Sequence, residues 1–129
     1  MSDDHDPSAW AAYAESDFQA AKRMLRGKNK FPNIACYHAQ QSAEKFLKAL
    51  LLMQGKDFPK IHNLRRLQDL CESAGVVVPV DPDQLDVLNV GAIQARYPGE
   101  PLSIDEAEQA IKIAKDVRKF VRRRIGAAK

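Results

Sequence analysis

From Ile34 to Met53 the chain reads IACYHAQQSAEKFLKALLLM, and at about 100° per residue its apolar side chains crowd into one broad arc. Met53, Phe46, Ala39, Leu50, Ala43, Cys36, Leu47 and Leu51 fill that arc, the width a helix needs to sit against several neighbours. The opposite side carries His38, Gln41, Lys45 and Lys48 on a single stripe, with Ile34 and Leu52 at its ends and Glu44 and Tyr37 along its edge. The pattern predicts a central core helix whose second face is chemically distinctive.

The same period predicts four more helices. Asp6-Pro7 is a helix opening, a capping carboxylate followed by a proline whose missing N–H costs nothing at the first helical position. This first helix is expected to run to about Arg26 and stop at Gly27. Its arc holds Ala20, Tyr13, Met24, Trp10, Ala21, Ala14, Leu25 and Phe18, and in the middle of them one carboxylate, Asp17. A buried carboxylate without a partner costs several kcal/mol. Asp17 therefore needs a cation or donor on another helix, and Lys45, Lys48, His38 and Arg96 are the candidates.

After the glycine stop at Gly55, Asn63 caps a third helix with a seam of Leu64, Leu67, Leu70, Cys71 and Ala74. The run VVVPV is β-branched, yet it is short, contains Pro79 and has no other strand to pair with, so it reads as an extended connector. Asp81-Pro82 opens a fourth helix, with Leu85, Leu88, Ala92 and Ala95 on its apolar side, which must end near Tyr97 because Pro98-Gly99 follows. Ser103-Ile104-Asp105-Glu106 is a capping box opening a fifth helix that extends to about Ile125. Its seam is Ala107, Ala110, Ile111, Ala114, Val117, Val121 and Ile125, opposite a basic row of Lys112, Lys115, Lys119, Arg122 and Arg123. Five helices, short connectors and no strands predict an all-α antiparallel up-and-down bundle.

At 129 residues the chain is expected to form one domain, with residues 1–6 flexible. Formal net charge is only +3, but the charge is polarised, with its basic end on the last helix. Cys36 and Cys71 both lie on apolar arcs and read as small buried hydrophobes, so neither a metal site nor a disulfide is expected. No apolar run is long enough to span a bilayer, and the start MSDDHDP is acidic where a signal peptide is basic, so a cytoplasmic protein is expected.

Four signals go beyond bundle physics: the stripe on the second helix, Asp17 facing the core, His62 at the mouth of the third helix, and Arg96-Tyr97-Pro98 where the fourth breaks. Lys45, Lys48 and Arg96, set near the capping box at Ser103, form a candidate anion site, since a helix N-terminus with nearby cations attracts phosphate. Taken together, YHAQQSAEKFLKALLLMQGKDFPKIHNLRRL, then ARYPGE, then a long terminal helix, resemble the HEPN domains of bacteria and archaea. The resemblance covers nearly the whole chain and points to the minimal, single-domain branch of that family. It implies a small helical bundle that forms a homodimer, pairs with a minimal nucleotidyltransferase in a toxin–antitoxin-like module, and takes nucleotide or RNA as ligand. His38, Gln41, Lys45, Lys48, Arg96 and Tyr97 are then the nucleotide- or phosphate-binding residues, Asp17 and His62 support them, and no cofactor is implied.

One departure bears on catalysis. Ribonuclease members of the family carry an Arg followed, after a few residues, by a His. Here Arg96 matches the arginine, but Pro101, Leu102 and Ser103 stand where the histidine would fall. A general base must reach the proton it removes. The alternative reading, a metal-independent endoribonuclease toxin using Arg96, therefore needs an imidazole from His38 or His62, on other helices or across a dimer.

Overall fold

The computed structural model describes residues 5–128 as five helices: α1 (Pro7–Arg23), α2 (Pro32–Met53), α3 (Leu64–Ser73), α4 (Pro82–Gln94) and α5 (Ile104–Ala128). Residues 1–4 of the expected flexible leader lie outside the described residues, while Asp6 accepts the Ser8 N–H at 2.9 Å and caps α1. No strand occurs among the described residues, and the fold is the expected all-α bundle. α2 is its axis and touches all four other helices. Phe46, Leu47, Leu50 and Leu51 of α2 meet Phe18 of α1, Leu64 and Leu67 of α3, Leu85 and Leu88 of α4, and Ile113, Val117 and Val121 of α5 in one core.

The caps hold where the sequence places them. Asn63 accepts from Arg66 N–H, Asp81 from Asp83 N–H, and Ser103 and Glu106 exchange two 3.0 Å bonds as a capping box. Four helix ends differ from expectation. α1 stops at Arg23, and residues Leu25 and Arg26 continue with tighter i−3 bonds before Gly27 turns the chain at φ 79°. α4 stops at Gln94, and Arg96 and Tyr97 likewise bond to Ile93 and Gln94, because the residue before Pro98 is pushed out of the helical region. α2 begins two residues before Ile34, at Pro32, and α5 continues past Ile125 to Ala128.

Two side chains depart from the expected arcs. Tyr13 sits at the edge of α1 and is 60% exposed, and Ile113, absent from the expected seam of α5, is fully buried. The VVVPV connector remains extended: Val76, Val78 and Val80 point inward, Val77 points out, and Gln68 donates to the carbonyls of Val78 (3.1 Å) and Val80 (2.7 Å). One glutamine thus satisfies backbone that a neighbouring strand would otherwise have to pair.

At the other end of the bundle Asn33 acts as a clasp. Its Oδ1 accepts the Leu102 N–H at 2.9 Å and its Nδ2 donates to the Ala95 carbonyl at 3.5 Å, joining the start of α2, the end of α4 and the lead into α5. This clasp holds the break that carries Arg96 against the central helix.

Candidate functional site

The polar stripe of α2 is largely enclosed, and it divides into two ion-pair clusters. Toward α1, Asp17 is 13% exposed at its side chain and receives Lys45 Nζ at 2.6 Å and His38 Nδ1 at 2.9 Å. Two of the four candidate partners for this carboxylate are therefore in place. The Tyr37 ring meets His38 edge-on at 5.7 Å, and the Arg96 guanidinium lies 5.7 Å from the Tyr37 centroid, a cation–π distance.

Toward α3, Glu44 anchors a second cluster deeper in the fold. Lys48 Nζ donates to it at 3.0 Å, Gln40 Nε2 at 3.3 Å, and His62 Nδ1 lies 3.0 and 3.1 Å from its two oxygens. Side chains of Glu44 and Lys48 are only 5% and 6% exposed. Lys48 also lies 5.0 Å from the Phe58 ring and 5.9 Å from Trp10, and those two rings meet edge to face at 5.1 Å. A carboxylate partner and two aromatic faces are what make a buried ammonium tolerable.

Because a carboxylate can only accept, its contact assigns the His62 proton to Nδ1 and leaves Nε2 facing outward. Gln40 Nε2 donates in addition to the His62 carbonyl at 2.9 Å, so both ends of this residue are tied to α2. Gln41 donates to Gln40 Oε1 at 3.0 Å and steadies the same group.

His62 and Arg96 line one cavity of about 210 Å³, together with Gln40, Asn63, Asn89, Ala92 and Ile93. Asn89 bridges the wall, accepting the Leu64 N–H at 3.1 Å and donating to Asn63 Oδ1 at 3.2 Å. Among the described residues the Arg96 guanidinium has no hydrogen-bond acceptor or ion-pair partner; its one contact is the face of Tyr37. Tyr97 beside it is 64% exposed.

The structure thus brings Arg96 to His62, whereas Lys45 and Lys48 are each held by a carboxylate and neither lines the Arg96 cavity. At the start of α5 Ser103 meets the Glu106 N–H, and just ahead of the helix Asn33 and Glu106 meet the N–H groups of Leu102 and Ser103. Sequence reading missed Gln40 and Asn89 altogether and left Glu44 at the edge of the stripe. The i, i+4, i+8 ladder of Gln40, Glu44 and Lys48 was the available signal, because those spacings stack three polar groups on one helix face.

The rest of the molecule is chemically quieter. Arg118 grips Glu15 in two bonds of 2.6 and 3.0 Å, Arg122 adds a third at 3.2 Å, and the Arg118 contact holds the Glu15 carboxyl down at about 2. Burial pushes the Cys36 thiol up to about 11 and the Cys71 thiol up to about 12, which keeps both protonated and inert. Among the described residues no three His, Cys, Asp or Glu side chains gather as a metal site would require. Among the described residues no helix is long and apolar enough to cross a membrane.

Fold and site define a small all-helical domain in which one central helix carries two ion-pair clusters and borders a cavity whose arginine has no ion-pair partner among the described residues. The chain belongs to the HEPN domain family, which it matches over residues 7–124. TT1696 from Thermus thermophilus has a similar structure, with TM-score 0.72 and 26% identity over 91% of this chain and 96% of that one. ST0689, described as an archaeal HEPN homologue, shares the fold with TM-score 0.68 and 24% identity, over 93% of this chain and 98% of its own. No curated protein matches the chain.

Proposed function

We propose that the cavity beside Arg96 binds the phosphate of a nucleotide or RNA. In this reading the protein is a single-domain homodimer that works in the cytoplasm, paired with a minimal nucleotidyltransferase in a toxin–antitoxin-like module. The observation that carries the binding reading is Arg96 itself, a guanidinium on a concave surface with no anion of its own among the described residues. Its planar fork suits two phosphate oxygens, and stacking on Tyr37 fixes its plane while leaving the N–H edge free. His62 and the amides of Asn63 and Asn89 supply further polar contacts, and the exposed Tyr97 ring offers a base a stacking surface. Lys45 and Lys48 act from behind this site, by holding α2 to α1 and fixing Glu44 under His62.

The test is a titration with ATP and with a short single-stranded RNA at several salt concentrations. Affinity is expected to fall as salt rises, by a log–log slope of about −0.7 per phosphate contacted. Arg96→Ala is expected to weaken binding about tenfold or more, since hydrogen bonds to charged groups are worth roughly 1.5–3 kcal/mol. Binding that ignores both salt and the substitution overturns the reading.

The shared cavity favours one second reading, endoribonuclease activity. His62 with Nδ1 anchored on Glu44 presents Nε2 as a base beside Arg96, the arrangement needed to take a ribose 2′-hydroxyl proton while the guanidinium steadies the phosphate. RNA cleaved only when the ribose carries its 2′-hydroxyl, and growth arrest relieved by Arg96→Ala, establish it; intact RNA after prolonged incubation with the dimer refutes it.

A further inference from the structure

α4 stands between two cavities. On its side away from Arg96, α4 and α5 flank a second one of about 310 Å³, which shares no wall residue with the first. Leu88, Leu102 and Ala110, all buried, give it an apolar floor, and Cys36 of α2 closes the bottom. Cys36 is 3% exposed and its thiol has no hydrogen-bond partner among the described residues, so a weakly polar group is left open at the base of the cavity. Gly91 lies in the wall. Neither a positive φ nor a close neighbour calls for glycine there, because nothing stands within 4 Å of where its Cβ would be, although glycine weakens a helix interior. The missing side chain keeps that wall open.

Every charged side chain lining this cavity is acidic: Asp83, Asp86 and Glu106. Asp86 bonds Arg65 at 2.7 Å and Asp83 lies 3.8 Å from the same guanidinium, so two carboxylates share one cation and one negative charge is left over. Glu106 accepts only the neutral Ser103 N–H and has no ion-pair partner among the described residues. Burial raises the Cys36 thiol and the Glu106 charge raises it further, so the field of this carboxylate reaches the cavity floor. The two unanswered charges stand toward opposite ends. Asn33 holds both the Ala95 carbonyl and the Leu102 N–H, which sets the end of α4 level with the lead into α5. Glu106, four residues on, then comes level with Gly91 as α5 runs back along α4. From Gly91 to Asp86 and Asp83 is five and eight residues, roughly 7 to 12 Å along the helix.

We propose that this cavity binds a linear aliphatic polyamine, with one ammonium on Glu106, another on Asp83 and Asp86, and the methylenes between them over Leu88, Leu102 and Ala110. The ligand class follows from the spacing of charge across an apolar floor. A single metal ion reaches only one end, and an uncharged apolar molecule answers neither. No aromatic ring lines the cavity, so nothing there selects a flat cation by its face. A diamine of four or five carbons matches the shorter separation and a triamine such as spermidine the longer. The site lies across α4 from the phosphate-binding cavity and does not depend on that reading.

The test is isothermal titration calorimetry of the full-length protein with spermidine, 1,5-diaminopentane, pentylamine and Mg²⁺ at one low ionic strength. Spermidine and the diamine are expected to bind, and pentylamine, which reaches one end only, to bind about fivefold more weakly or worse. Glu106→Gln keeps the capping box, since glutamine serves at that position, and is expected to weaken spermidine about fivefold. Asp83→Asn is expected to do the same from the other end, while Asp57→Asn, an exposed carboxylate remote from the cavity, leaves the affinity unchanged. Gly91→Leu fills the wall with a better helix former and is expected to abolish binding with helical circular dichroism intact. No heat with spermidine up to about 10 mM overturns the proposal. So does pentylamine binding as tightly as the diamine, Mg²⁺ competing as well as spermidine, or a Gly91→Leu or Glu106→Gln protein that binds spermidine like wild type.

Discussion

Replacing Lys48 with methionine keeps a side chain of similar length beside Phe58 and Trp10 and deletes the charge that answers Glu44. Breaking a buried pair from one side costs roughly 3–5 kcal/mol, because the remaining ion is left desolvated. Glu44 still has Gln40 and the solvent-facing His62, which reduces the expected loss to roughly 2–4 kcal/mol, a large share of the 5–15 kcal/mol that holds a domain of this size together. Removing both ions, as Glu44→Leu with Lys48→Met, leaves no orphaned charge, and Gln40 keeps the His62 carbonyl as acceptor. The double variant is expected within about 1 kcal/mol of wild type. Urea unfolding followed by circular dichroism measures all four corners of the cycle, and a coupling of roughly 2 kcal/mol or more is expected. A single Lys48→Met variant that loses less than about 1 kcal/mol, or a double variant as damaged as the sum of the singles, refutes the claim that a sealed ion pair supports His62 from below.

Two further outcomes follow from the ion pairs. The Glu15 carboxyl, held by Arg118 at about 2 against an ordinary 4.5, contributes stability that is present above pH 4.5 and lost as pH falls toward 2. With partial exposure discounted, Arg118→Ala is expected to cost roughly 1–2 kcal/mol at neutral pH and to flatten the acid limb of the stability profile between those values; an unchanged limb counts against the pairing. Asp17→Asn is expected to lower Tm by about 3–10 °C, because it strands Lys45 and His38 beside a neutral amide; differential scanning calorimetry reads it, and an unchanged Tm would show the cluster to be energetically idle.

Helix number, order and caps were legible in the sequence because they rest on local chemistry: Asp6-Pro7, Asn63, Asp81-Pro82 and the Ser103 box each act within a few residues. Asp17 was legible for a different reason. A charge in an apolar arc demands a partner, and the demand can be read before the partner is known. Depth was not legible. A helical wheel assigns Lys48 and Glu44 to a polar stripe, but only the packing of α1 and α3 over that stripe turns it into an enclosed network. The meeting of Arg96 with His62 depends on how α3 and α4 lie against α2, a relation between distant segments that periodicity does not encode. For the same reason the expected association of Arg96 with the two lysines gives way to a cavity walled by Gln40 and Asn89.

The Asn33 clasp makes the arginine's location a long-range property. The break that carries Arg96 is steadied by an amide sixty-two positions away from Ala95, and the same amide tethers Leu102 at a sequence separation of sixty-nine. Sequence drift around residue 33 would therefore register as misalignment of a guanidinium it never touches, and transplanting the RYP segment into another bundle would carry the letters without their anchorage.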